Sequence, residues 1–73
     1  MIKLKVDQQA DALYLTLDES AVVESEEVAA GIVVDYDAND HVVGIELAHL
    51  SKRAPDLEIS RLLFETVPAW AAR

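Results

Sequence analysis

Apolar and polar residues alternate with a period of two along much of the first 47 positions, and the pattern then changes to a helical one. Ile2, Leu4 and Val6 alternate with Lys3 and Lys5, as in a strand with one face buried. Residues 7–11 (DQQAD) are polar and read as a turn. Residues 12–17 (ALYLTL) alternate again and put Leu13, Leu15 and Leu17 on one side. A link this short makes the pair antiparallel, because a parallel crossover needs about a dozen residues or more. Residues 22–28 (VVESEEV) are extended but half acidic, which suits an edge, where charge discourages stray pairing. Residues 32–36 (IVVDY) are β-branched and aromatic, and residues 41–47 (HVVGIEL) place Val43, Ile45 and Leu47 on a core face.

Beyond Leu47, Ile59, Leu62, Leu63 and Val67 recur at intervals of three and four, the spacing of one helical face. Pro55 fits a first helical turn, Asp56 lies near the cap, and Pro68 stops the helix. The expected fold is therefore α+β: a small antiparallel β-meander of four to five strands (1–47), a C-terminal helix (55–67) and a tail (68–73). All of it belongs to one domain, 1–73.

Composition adds a constraint. Of the 73 residues, 52% are apolar and only 5% aromatic, so the core is aliphatic. A chain this short buries only about 60–65% of its unfolded surface, and such folds commonly add disulfides, a metal or a second subunit. With no cysteine and two histidines, disulfides and a standard zinc cage are excluded, and association, first of all as a dimer, is the remedy left. The lack of cysteine also fits a cytoplasmic protein. Six basic against fourteen acidic residues give a formal charge of −8. That sign disfavours nucleic acid and anionic membrane and suits a basic protein partner. No apolar run reaches the roughly 18 residues of a membrane span, and no signal-peptide core follows the first charges.

Residues 35–46, DYDANDHVVGIE, carry Asp, Asp, Asn and Glu at positions 1, 3, 5 and 12, the oxygen-ligand order of a calcium loop. The flanks argue otherwise. Such a loop lies between helices and takes glycine at its sixth position, whereas here β-branched runs flank it and Asp40 stands sixth. A type I turn over residues 37–40, closed by a left-handed Asp or Asn, joins two strands instead. Weak divalent-cation binding by Asp35, Asp37, Asn39 and Asp40 stays open as an alternative.

The segments DALYLTL, ESEEV and GIVVDYDANDHVVGIEL, followed by Ser51-Lys52, occur in an order and spacing that resembles the small prokaryotic family catalogued as domain of unknown function 2283. The resemblance covers about residues 7–53 and departs at Asp40, where the family usually has glycine. It carries no known activity and no catalytic residues. Members are often encoded beside small basic proteins resembling ribonuclease toxins, which implies an antitoxin-like role.

Catalytic chemistry is not legible. His41 and His49 are eight apart and flank one strand, and no serine sits in a nucleophile-elbow sequence. Ser51-Lys52 lacks the context of a serine–lysine dyad, and two glycines do not make a phosphate-cradling loop. No cofactor is expected. Asp18, Glu19, Glu24, Glu26 and Glu27 form a solvated acidic side on which a basic partner could dock. Leu57, Phe64 and Trp70 exceed what one helical face can bury and are the expected interface residues. The reading is a non-enzymatic interaction module.

Overall fold

The computed structural model describes residues 1–54 and 56–69. Five strands, β1 (Lys3–Asp7), β2 (Ala12–Thr16), β3 (Glu24–Ala29), β4 (Ile32–Tyr36) and β5 (Val42–Leu47), are followed by a short helix, α1 (Leu50–Arg53). Every pairing is antiparallel, and the sheet order is β1-β2-β5-β4-β3. The last three strands form a meander, and the β1–β2 hairpin joins it along β5. This order requires the chain leaving β2 to cross three strand spacings, about 14 Å, before β3 begins. A bulge in β5 starts that crossing: the Val43 carbonyl accepts the Leu17 amide at 2.8 Å and the Asp18 amide at 3.3 Å. Val23 then donates its amide to the Tyr36 carbonyl at 2.9 Å and opens β3.

Register sorts the side chains by face, because successive residues point to opposite sides. One row runs Val6, Leu13, Leu47, Ile32, Ala29, and the next runs Leu4, Leu15, Ile45, Val34, Glu26. With Val43 and Tyr36 below them, these rows make one face aliphatic. The opposite face carries Lys5, Tyr14, Glu46, Val33 and Glu27 in one row and Lys3, Thr16, Gly44, Asp35 and Ser25 in another. Val43, Ile45 and Leu47 thus lie on the face expected of them. Burial is incomplete. Among the described residues only Ala12, Val43 and Leu50 count as buried apolar residues, and no side chain is fully buried. The Cα positions span 37 × 36 × 19 Å.

The helix after the sheet is present but shorter and earlier than the periodicity indicates. Residues 56–67, expected to be helical, form only isolated turns in which Leu57 donates to Ala54 and Arg61 to Glu58, at 2.9 and 3.1 Å. The reason is physical: a segment of about a dozen residues is marginal as a helix without a surface to pack on. Here Leu63 is 80% and Phe64 77% exposed. Pro55 and the tail from Trp70 lie outside the described residues.

Candidate interaction surface

Three constructions at the ends of the sheet fix its turns and determine what it presents. The first is the β4–β5 turn. Asp37, only 8% exposed, accepts the amides of Asn39 at 2.9 Å and His41 at 3.0 Å through Oδ1. Asp40 closes the turn at φ 61°, the left-handed region that Asp tolerates better than most residues. Strands, not helices, flank residues 35–46, so the stretch is a hairpin. The cation candidates are dispersed within it. Asp35 accepts the Ser25 hydroxyl across the strands at 2.6 Å, Asp37 faces the turn backbone, and Asn39 and Asp40 are exposed. Among the described residues no three His, Asp or Glu side chains gather as a metal ion would need.

The second construction joins α1 to the β1–β2 turn. Asp11, left-handed at φ 55°, takes the Leu50 amide on its carbonyl at 3.0 Å. Its carboxylate takes the Ser51 amide at 3.1 Å and the Ser51 hydroxyl at 2.7 Å. The third joins α1 to the β3–β4 turn: Arg53 donates Nη2 to the Ala30 carbonyl and Nε to the Ala48 carbonyl, the latter at 3.2 Å. Gly31 makes this possible. It sits at φ 74°, and a Cβ there would lie 3.0 Å from the Arg53 guanidinium and 3.3 Å from the Ala48 carbonyl. A short helix therefore clamps two hairpin turns 40 and 23 residues away. Sequence reading misses both clamps, because a helix of four residues has no periodicity and the partners are remote in the chain.

Arg53, Lys52 and His49 line a shallow groove with Glu27, Val33 and Glu46, residues of the polar face. On that face Glu46 stands opposite Tyr14 and pushes its pKa up by hydrogen bonding to the phenol and by its charge, while the Lys5 ammonium lies 5.9 Å from the Tyr14 ring centre. At the other end, Ser20 donates its hydroxyl and its amide to the Asp18 carboxylate, both at 2.7 Å, and holds its pKa below the ordinary value. His41 and His49 stand at opposite ends of β5 and do not meet. Of the expected interface residues, Leu57 and Phe64 are exposed on the arm, and Trp70 lies outside the described residues. The acidic residues Asp18, Glu19, Glu24, Glu26 and Glu27 are all exposed.

What the fold presents is a small acidic α+β protein: a single antiparallel sheet, polar on one side and aliphatic and open on the other. A model of the family described as a protein of unknown function (DUF2283) matches residues 3–51, from β1 into α1, and the chain belongs to that family. No curated protein and no solved structure matches the chain. No helix among the described residues is long and apolar enough to cross a membrane.

Proposed function

We propose that the protein is a non-enzymatic interaction module that works as a homodimer in the prokaryotic cytoplasm and offers its acidic side to a basic protein partner, in the manner of an antitoxin. The observation that carries this reading is the open aliphatic face. Eleven apolar residues, Leu4 to Leu47, lie on one side of a single-layer sheet, and of these only Val43 is buried by the described chain while the other ten stay half-buried or exposed. Elements that are apolar on one face are stable when another layer meets them. The charge of −8 and the exposed carboxylates speak for a basic partner, since complementary charge raises association rate and specificity.

Light scattering over a concentration series tests the dimer, with a mass twice that of the chain expected. For the partner, the test is whether a small basic protein is encoded beside this chain and binds it. Affinity should fall steeply with salt and weaken in an Asp18→Asn/Glu19→Gln/Glu27→Gln variant. Salt-independent binding, or no loss in that variant, would count against the acidic side as the docking surface.

A further inference from the structure

We propose that two copies pack aliphatic face to aliphatic face as a two-layered sandwich whose two-fold axis runs along β5, so that β1 of each copy lies over β3 of the other. The inference rests on the dimeric reading above and names the surface and the arrangement.

Exposed area gives the first argument. A folded monomer of 8.0 kDa exposes about 4,500 Å² by the usual scaling, and this chain exposes 5972 Å². The surplus of roughly 1,500 Å² is shared between the extended arm and the open face, and a standard stable interface takes ~800 Å² from each partner. The radius of gyration, 14.2 Å against about 11 Å for a compact chain of this length, agrees. Its own arm does not form the missing layer, because Leu62, Leu63 and Val67 on it are 63%, 80% and 69% exposed.

Charge gives the second. The sheet edges carry charge: Lys3, Lys5 and Asp7 on β1, and Glu24, Glu26 and Glu27 on β3. Joining two β3 edges would set carboxylates opposite each other, and joining two β1 edges about Lys5 would set Lys5 against Lys5 even where Lys3 meets Asp7; like charges directly opposite are destabilising. Self-association is thereby directed to the face. On that face the only charged strand positions are Glu24 and Glu26, at the β3 rim. A two-fold axis across the strands would stack Glu26 on its counterpart. An axis along β5 sets Glu26 over Leu4 of the second copy instead, on a strand whose Lys3 and Lys5 stems can bring their ammonium groups to the rim. The same operation sets Leu15 over Val34 and Ile45 over Ile45, so the aliphatic row matches itself.

The chain has no cysteine, so introduced thiols report cleanly. Full-length Leu4→Cys and Glu26→Cys variants, both substituted at exposed edge positions, are checked for native far-ultraviolet circular dichroism and treated with a short bis-maleimide, alone and mixed. Expected is covalent dimer in the mixture and none in either variant alone. Covalent dimer from Leu4→Cys alone or Glu26→Cys alone would overturn the axis. A dimer by light scattering that cross-links in none of these, but does so through Leu63→Cys, would make the arm the interface; the inference then fails and the dimeric reading stands. A monomer at every concentration removes both.

Discussion

Replacing Asp11 with alanine should release α1 from the β1–β2 turn. The carboxylate accepts two hydrogen bonds from Ser51, at 3.1 Å from the amide and 2.7 Å from the hydroxyl. Both are exposed to solvent, so their joint loss costs about 1 kcal/mol net. Asp11 also holds φ 55°, and alanine occupies the left-handed region less comfortably than Asp, by about 1 kcal/mol. The expected loss is thus about 2 kcal/mol, which moves a urea midpoint down by roughly 2 M at a slope near 1 kcal/mol per molar. Asp11→Asn keeps the left-handed tolerance and one acceptor, and should lose about half as much. Both are compared with the parent at one protein concentration, because association adds to apparent stability. The reasoning fails if Asp11→Ala unfolds within about 0.3 kcal/mol of the parent, or if Asp11→Ala and Ser51→Ala add without coupling.

Gly31→Ala should lower the melting temperature by about 4–8 °C for each kcal/mol of strain, since φ 74° and the 3.0 Å approach of Arg53 both oppose a side chain. Asp37→Ala leaves the amides of Asn39 and His41 without their acceptor in a part-buried turn and should cost about 1–3 kcal/mol by chemical denaturation. Millimolar calcium should leave the parent's melting curve unmoved, because Asp35 and Asp37 are engaged by Ser25 and the turn backbone; a clear upward shift would contradict that assignment. Asp18 has a folded pKa below its unfolded one, so its contribution is present above the unfolded value and lost as pH falls through the folded one. Asp18→Asn should flatten that acid limb. Tyr14 is shifted the other way by Glu46, so its contribution persists below the ordinary phenol value and is lost as pH rises through the folded pKa. Phenolate absorbance in Glu46→Gln should titrate lower than in the parent.

The sheet was legible because its signals are local. Alternation in residues 12–17 and 41–47 marks strands whatever they pair with, and Asp37 and Asp40 supply turn chemistry within four residues of each other. Strand order was not legible in the same way. That β2 pairs with β5 depends on Leu13 meeting Leu47, a contact between residues far apart in the chain. The arm shows the limit of periodicity. Ile59, Leu62, Leu63 and Val67 keep helical spacing, yet a helical face forms only when it is packed against something, and here Leu62, Leu63 and Val67 stay exposed. The aliphatic face drew less attention than the arm for a related reason. Attention falls on Leu57, Phe64 and Trp70 because aromatic and leucine side chains beyond one face look surplus, whereas Leu4, Leu15 and Val34 look like an ordinary core until no covering layer is found. Asp11 and Arg53 gave no signal at all, since their partners are brought near only by the finished sheet.

The reactivity of a single thiol at the centre of the aliphatic face tests the central claim most directly. In a Leu15→Cys variant that keeps its β-sheet circular dichroism, maleimide labelling is followed from sub-micromolar to several hundred micromolar protein. If a second copy covers the face, labelling is fast in dilute solution and slows as concentration rises. A rate that stays constant across the series, whether fast or slow, would contradict the account.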